Sequence, residues 1–211
     1  MSAISDSNLR LIGLDENEIN RDPIRQFQSW LNDALEAHVP LAEAMTLATA
    51  TPDGRPAARM VLLKQVDHDG FVFFTNYRSA KARQLDANPY AALVFYWNQL
   101  ERQVRVEGGV ERTSEQESRE YFQTRPRESQ IGAWASEQSE VISGRDVLEQ
   151  RARELEGLYC DKEIDCPEYW GGYRLKPERI EFWKGRLGRL HDRILYQRQP
   201  DGTWTISRLA P

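Results

Sequence analysis

The chain contains only two cysteines, Cys160 and Cys166, among its 211 residues. Their spacing fits neither the CxxC pair of a redox protein nor half of a zinc site. The sequence also has no cluster of histidines and cysteines that could hold a metal ion. We therefore expect two free thiols, a reducing cytoplasmic compartment and no metal site.

Several other features are missing from the sequence. No run of about 18 apolar residues is present, so no membrane span is expected. The first twenty residues lack a basic segment followed by an apolar one, so we expect no secretory signal. The absence of a Walker motif and of GxGxxG argues against a P-loop or a dinucleotide-binding sheet. The net charge of -5 argues against a nucleic-acid partner.

The composition is that of a globular protein, with 40% hydrophobic and 29% charged residues. A chain of this length can bury a sizeable core in one unit. Residues 1–21 are polar and lack a strong period, so we predict a mobile N-terminal arm there. Residues 22–211 are predicted to form a single domain.

The hydrophobic pattern changes from helical to extended early in the chain. Asp22 and Pro23 are typical of a helix start, and the helical period runs to about His38. Strands are then predicted at 44–50 and 55–66, joined by a turn. Further strands are predicted at 71–75, 90–97, 101–112, 170–175, 180–184, 193–198 and 203–209, with helices at 80–87, at 115–125 and after Ser143. Strands joined by short turns favour a mainly β fold with flanking helices, an antiparallel barrel, over a Rossmann sheet.

The strand predicted at 55–66 carries charged residues within an apolar run. A period of two places Arg59 with Val61 and Leu63 on one face, and Lys64 with Met60 and Leu62 on the other. An unpaired buried charge is costly, so the Arg59 face is open to solvent or meets an anion.

The densest group of polar donors lies in YFQTRPRESQIGAWAS, residues 121–136. Tyr121 and Arg125 are four residues apart, so they project from one face of a helix that Pro126 ends. A loop with Ser129 is predicted to follow. Such donors suit a phosphate. From the residues alone, a solvated helix end with ordinary ion pairs remains an equal alternative.

The same segment resembles the signature of the pyridoxine/pyridoxamine 5′-phosphate oxidases, FMN-dependent enzymes of vitamin B6 metabolism. Five further segments resemble the family in the same order, and together they extend from about residue 22 to the end of the chain. These segments are RMVLLK, SAKARQL, RQVRVEG, EYWGGYRLKPERIEFW and RLHDRILY.

The resemblance implies an FMN-binding split β-barrel that oxidises pyridoxine and pyridoxamine 5′-phosphates with O2. It also implies a homodimer with FMN at the interface. Arg189 and His191 are implied to be catalytic and to contact the pyridine ring of the substrate. The implied substrate-binding residues are Lys64, Tyr121, Arg125, Ser129, Arg189 and His191. The implied FMN-binding residues are Arg59, Met60, Val61, Leu62, Leu63, Lys64, Phe74, Thr75, Lys81, Gln103, Gln138, Ser139, Trp183 and Arg193.

The chain departs from the family pattern at two places. Many members have a second basic residue where Ala80 stands, beside Lys81. Members also carry an Arg and a Tyr in the N-terminal arm, where this chain reads Asp6, Ser7, Asn8 and Leu9. No arm residue is therefore carried over into the predicted site, and two alternatives stay open: weaker closure of the site, or closure by Arg10.

Two other functions stay open at this point. One is a different FMN oxidoreductase on the same barrel, which would not need four residues for a substrate phosphate. The other is a flavin- or vitamin-binding module without catalysis, against which Arg189 and His191 argue. If RLHDR is extended, these two side chains point to one face and Leu190 to the other. Read alone, the segment GRLGRLHDR is more typical of a basic surface patch.

Overall fold

A computed structural model describes residues 13–211 as an antiparallel β structure with flanking helices. This part of the chain contains nine strands, five α-helices and two short 3-10 turns. The strands are β1 (Ala44–Ala50), β2 (Pro56–Leu62), β3 (Gln65–Asp67), β4 (Gly70–Asn76), β5 (Tyr90–Trp97), β6 (Arg102–Arg112), β7 (Trp170–Lys184), β8 (Asp192–Arg198) and β9 (Trp204–Arg208). The helices are α1 (Pro23–Glu36), α2 (Ala80–Ala87), α3 (Glu115–Thr124), α4 (Arg127–Ala135) and α5 (Arg145–Leu158), and the 3-10 turns are Asn98–Leu100 and Leu187–Arg189.

The strands form one curled sheet in the order β2-β1-β5-β6-β7-β4-β3, and β8 and β9 extend it from β7. All eight ladders are antiparallel. The predicted split barrel is thereby confirmed. No helix in residues 13–211 combines the length and apolar character that a membrane crossing requires.

Helix α1 fills the inside of the curled sheet. It begins where predicted, because the Asp22 carboxylate accepts the backbone N–H of Ile24 at 2.9 Å. Its Phe27 ring is fully buried, with its centroid 4.9 Å from Phe71 and 4.8 Å from Phe95. Burying an aromatic side chain stabilises a fold by roughly 1.5–3 kcal/mol, so this contact is a main tie between helix and sheet.

The single strand predicted at 55–66 is wrong, because the chain changes partner part-way along it. The N–H of Leu63 still donates to the Glu43 carbonyl beside β1, whereas the N–H of Lys64 donates to the Val72 carbonyl of β4. The run therefore divides into β2 and β3. Alternation along the run alone does not reveal this change.

Two helix predictions also need correction. The loop predicted after Pro126 is helix α4, with Pro126 at its N-cap, where a missing N–H costs nothing. The helix predicted to be capped by Ser143 has Gly144 at that position, without a side-chain cap. This helix, α5, packs against α4, and Leu158 stays 61% exposed.

The strands predicted at 170–175 and 180–184 are one continuous strand, β7. Its pairing with β6 shifts register between Glu107 and Gly108, so the strand continues past Pro177 with an irregularity rather than a break. Two adjacent glycines in a strand, such as Gly108 and Gly109 of β6, are typical of a bulge or of a close backbone approach.

The predicted mobile arm lies partly outside the described residues, which begin at Gly13. Within the described part, the N–H of Leu14 donates to Asp192 and the Tyr196 hydroxyl donates to the Asn20 carbonyl. The division into an arm and one domain stays a prediction.

Candidate active site

A cavity of about 450 Å³ opens between β2, β4, α3 and α4. Cationic and hydroxyl side chains from these elements line it together with apolar ones. Eleven of the predicted site residues are in its wall: Met60, Val61, Leu62, Lys64, Phe74, Thr75, Lys81, Tyr121, Arg125, Ser129 and Gln138.

Arg125 is the cation of the cavity with the most unusual surroundings. It is the C-cap residue of α3, in extended geometry ahead of Pro126. Its Nη1 atom is buried without a hydrogen-bond partner among the described residues. Burial lowers the pKa of its guanidinium, which nevertheless stays charged. A buried guanidinium nitrogen without a partner is costly, which suits a site that binds an anion.

Arg59 of β2 and Lys81 of α2 form a second pair of cations. The Arg59 guanidinium donates to the Thr49 hydroxyl at 2.6 Å and to the Gln84 side chain at 3.1 Å. Lys81 Nζ donates to Gln138 Oε1 at 2.9 Å and to Thr75 Oγ1 at 3.1 Å. Burial, and after it the charge of Arg59, lowers the pKa of Lys81.

Neither Arg59 nor Lys81 forms an ion pair within residues 13–211. Two neighbouring cations without a carboxylate fit a phosphate, so the donor set suits that of FMN. Ser139 lies beside them, and its hydroxyl accepts the N–H of Ala80 at the start of α2 at 3.1 Å. Arg59, Leu63 and Ser139 do not line the cavity itself.

The remaining predicted residues form a second cluster, on β6, β7 and β8. Gln103 lies opposite Trp183, and Trp183 lies opposite Arg193, so the three share one face of the sheet. The His191 ring lies 4.7 Å from the Trp183 ring. None of these side chains lines the cavity. Trp183 and the cavity residue Trp170 lie near opposite ends of β7, whose fifteen residues extend over roughly 50 Å.

The condition that RLHDR be extended, on which a shared direction of Arg189 and His191 depends, is not met at Arg189. This residue ends a 3-10 turn with φ 63°, directly after Gly188 with φ 68°. The strand begins only at Asp192, so alternation does not set the direction of the Arg189 side chain. The Arg189 side chain is exposed.

His191 and Arg193 are both held by neighbours. Nδ1 of His191 accepts the backbone N–H of Arg186 at 3.1 Å. In the neutral ring the proton is therefore on Nε2, which is left as a donor. Arg193 donates through Nε and Nη2 to the two carboxylate oxygens of Glu181, at 2.8 and 3.1 Å. Glu181 is buried, and it also accepts from Arg105 at 3.3 Å.

The sequence model described as pyridoxamine 5′-phosphate oxidase matches residues 31–159. A second one, described as the pyridoxine 5′-phosphate oxidase C-terminal dimerisation region, matches residues 170–211. The chain belongs to the pyridoxamine 5′-phosphate oxidase family. The predicted family resemblance is thereby confirmed.

Relatives of the pyridoxamine 5′-phosphate oxidase family match nearly the whole chain. A pyridoxine/pyridoxamine 5′-phosphate oxidase of Nostoc punctiforme is 56% identical over 201 residues, which cover 95% of this chain and 94% of the relative. That of Paraburkholderia xenovorans is 57% identical over 205 residues, 97% of this chain and 96% of the relative.

Solved structures agree in fold. PhzG from Burkholderia lata, in complex with tetrahydrophenazine-1-carboxylic acid, has a TM-score of 0.89 at 31% identity and covers 94% of this chain and 98% of its own. A pyridoxamine 5′-phosphate oxidase-related, FMN-binding protein from Nostoc punctiforme has a TM-score of 0.70 at 20% identity and covers 88% of this chain and 97% of its own. The latter supports the fold alone.

Some cavity residues of this pyridoxamine 5′-phosphate oxidase family member are absent from the predicted set. They are Asn76, Gly132, Ala133, Ser136 and Trp170. Trp170 is the largest of them, and its position at the start of an apolar strand is also typical of an ordinary core residue.

One group of metal-ligand type occurs in the described residues, Asp67, His68 and Asp69. His68 and Asp69 are exposed, and Asp67 already pairs with Arg174 at 2.6 Å. This turn lies outside the cavity wall.

Proposed function

We propose that the protein is an FMN-dependent oxidase that converts pyridoxine 5′-phosphate and pyridoxamine 5′-phosphate to pyridoxal 5′-phosphate. O2 is the electron acceptor and becomes H2O2. Oxidation of the amine also consumes water and releases ammonia. The carrying observation is the buried, unpaired Nη1 of Arg125 in the wall of a cavity. Lys64, Tyr121 and Ser129 line the same cavity and would complete a site for the substrate phosphate.

The second phosphate of the complex would be that of FMN, held by Arg59 and Lys81. Gln138 and Ser139 lie beside these cations and would donate to the same group. When bound, FMN supplies the two-electron acceptor for the substrate carbon and passes the electrons on to O2. Arg59 donates to the Leu47 carbonyl of β1 and does not line the cavity, whereas Lys64 does line it. These different positions favour two separate phosphates over one shared anion.

His191 and Arg189 would contact the pyridine ring of the substrate. Because Nδ1 of His191 already accepts from Arg186, Nε2–H is the donor available to a substrate oxygen or nitrogen. Arg189 would add positive charge near the ring and would help to bind and orient the substrate for hydride transfer.

A homodimer accounts for the separation of the two clusters in one chain. The face that carries Trp183 and Arg193 continues across β6 and β5 to β1 and β2. On this face Met60 is 64% exposed and Tyr96 is 56% exposed. Large exposed apolar side chains on one face mark an interaction surface.

A second copy of the chain is the occupant that this face fits best. In a two-fold interface, each patch meets its counterpart on the other copy. The Met60 end of one chain would then lie against the Trp183 end of its partner, with FMN between them. The match of residues 170–211 to a dimerisation region supports this arrangement. The free state of both cysteines supports the cytoplasm as the compartment.

The likeness to PhzG gives the alternative function, oxidation of a reduced ring that carries a carboxylate and no phosphate. The surroundings of Arg125, Lys64, Tyr121 and Ser129 favour the phosphorylated substrate, because a carboxylate needs fewer donors than a phosphate.

Spectroscopy and oxygen uptake of the purified protein test the proposal. We expect a yellow protein that releases FMN and no FAD on denaturation. With pyridoxine 5′-phosphate it should consume O2 and form one H2O2 for each pyridoxal 5′-phosphate. Bound FAD, or FMN without O2 uptake on either phosphorylated substrate, would contradict the proposal.

A further inference from the structure

Trp170 is a buried aromatic residue in the cavity wall, 7% exposed, at the first position of β7. The guanidinium carbon of Arg125 lies 4.6 Å from the centroid of the Trp170 ring. The same ring stacks on Phe74 with centroids 5.4 Å apart and planes at 10°. Phe74 in turn stacks on Tyr121 at 4.0 Å. Trp170 therefore joins strand β4 to the helix that carries the predicted phosphate-binding residues.

The way in which Arg125 is held differs from that of Arg174 and Arg193. Arg174 pairs with two carboxylates, Asp67 and Glu117, and Arg193 pairs with Glu181. A carboxylate fixes a guanidinium but also cancels its charge. An aromatic face attracts the cation through the ring quadrupole and leaves its N–H donors and its net charge available. Within residues 13–211, Arg125 forms no ion pair, and Nη1 is unpartnered.

We propose that Trp170 is a positioning residue for the substrate phosphate, and that it acts by stacking on Arg125. This inference rests on the proposed function and adds to it how the phosphate site is kept both ordered and charged. The ligands concerned are phosphate monoesters of the B6 type, whose phosphate would reach the free edge of the Arg125 guanidinium.

The first measurement compares Trp170→Met, which fills space without a π face, with the wild-type protein. Desolvated cation–π contacts correspond to roughly a five- to thirty-fold change in affinity. We expect KM for pyridoxine 5′-phosphate, and the dissociation constant of pyridoxal 5′-phosphate by calorimetry, to rise by about this factor. The kcat should fall by much less, and FMN content should be retained. Trp170→Phe should recover part of the affinity, because it restores a ring with a weaker quadrupole.

A double-mutant cycle with Arg125→Met separates positioning from general packing. If Trp170 acts through Arg125, Trp170→Met should raise KM no further in the Arg125→Met background. Equal factors in both backgrounds would overturn the proposal. Should Trp170→Met fail to fold, the same cycle with Trp170→Phe gives the same two outcomes with a smaller factor.

Trp134 provides the matched control. It is a half-buried tryptophan of α4 whose ring packs against Tyr159 and Tyr169, and it does not line the cavity. Trp134→Met should leave KM for pyridoxine 5′-phosphate unchanged, even at a similar loss of stability. A comparable KM rise in Trp134→Met would overturn the proposal. A wild-type protein that does not oxidise pyridoxine 5′-phosphate would instead contradict the proposed function.

Discussion

Arg125 and Arg193 show at the scale of the residue how differently one side-chain type can be prepared for a ligand. Arg193 is fixed by both oxygens of the buried Glu181 carboxylate, so its direction is set before any ligand binds. Arg125 has an aromatic neighbour and an unpartnered nitrogen, so it gains most from an anion. The carboxylate pair fixes the orientation of Arg193, whereas the unpartnered nitrogen of Arg125 can gain a new hydrogen bond when an anion binds.

Substitution of Arg59 and of Arg125 should separate the two phosphate sites. Arg125→Ala should raise KM for pyridoxine 5′-phosphate about ten- to a hundred-fold, because a charge-assisted hydrogen bond contributes roughly 1.5–3 kcal/mol. Arg59→Ala should lower the affinity for FMN by a similar factor and leave the KM of the FMN-saturated protein for pyridoxine 5′-phosphate nearly unchanged. Flavin titration and steady-state kinetics measure the two effects. Loss of flavin from Arg125→Ala at unchanged KM would contradict the division.

Lys184 should make stability depend on pH in the alkaline range. It is 5% exposed and donates to the Leu100 carbonyl at 2.7 Å. Burial, and then the neighbouring charge of Arg102, lowers its pKa from 10.5 to about 8. Between these two values the unfolded chain binds more protons than the folded one, so stability rises with pH.

The test is the free energy of unfolding of wild type relative to Lys184→Met, measured across this range of pH. As pH increases, the free energy of unfolding of the wild type should rise relative to that of Lys184→Met, because the cost of burying the charge disappears on deprotonation. Since Lys184→Met lacks the titrating group, all other groups cancel in the comparison. If this difference in free energy did not change with pH, burial would not lower the pKa of Lys184.

At the scale of the element, the β6–β7 ladder depends on a close backbone approach at its bulge. A Cβ atom on Gly108 would lie 2.0 Å from the backbone oxygen of Lys176. The neighbouring Gly109 has its nearest such atom at 3.9 Å, which is an ordinary contact. The two glycines are adjacent in one strand, but only one of them is required by the packing.

Gly108→Ala should therefore lower the free energy of unfolding by about 1–3 kcal/mol, because neither backbone can move freely. Gly109→Ala is the matched control and should be neutral or slightly stabilising, since alanine loses less entropy on folding. Urea unfolding of both variants measures the contrast. If Gly108→Ala and Gly109→Ala lowered the free energy of unfolding equally, the close backbone approach would not be specific to Gly108.

At the scale of the whole molecule, the proposed site is divided between two copies of the chain. One copy would provide the cavity with Arg125, and the other would provide Arg189 and Trp183. Neither cluster is then complete in a monomer, which ties activity to assembly. The exposed apolar face with Met60 and Tyr96 would be buried by the same event.

Mixing two impaired variants, assayed at a substrate concentration well below the KM of either variant, tests this division. In a hybrid dimer of Arg125→Ala and Arg189→Met chains, one site carries both substitutions and the other carries none. Random exchange of subunits should therefore restore about a quarter of the wild-type activity. Each variant mixed with itself is the control and should keep its low activity at that substrate concentration. Failure of the mixture to regain activity, with exchange confirmed by mass, would place both residues in one chain's site.

Local signals were sufficient for much of the fold and for the cavity side of the site. The bounds of α2 and β5 agree with the predictions, because Ser79 caps the helix and Trp97 ends an apolar run. Changes of partner strand were not predictable. The break after Leu62 occurs because the backbone N–H of Lys64 bonds to β4 instead of β1, and the alternation of side chains does not signal such a change. The direction of the Arg189 side chain depends on the left-handed backbone of Arg189 itself, a geometry that an arginine does not signal.

The long strand β7 has a consequence for synthesis on the ribosome. In the order of the sheet it joins β2-β1-β5-β6 on one side to β4-β3 on the other. Phe71 of β4 pairs with Leu175 of β7. About a hundred further residues must therefore be translated, which takes roughly 5–20 s, before β4 can pair with β7. During that time the nascent chain holds two incomplete sheets with open edges, which invite pairing with other chains. The segment that completes the fold is thus also the one whose timely emergence protects the chain from aggregation.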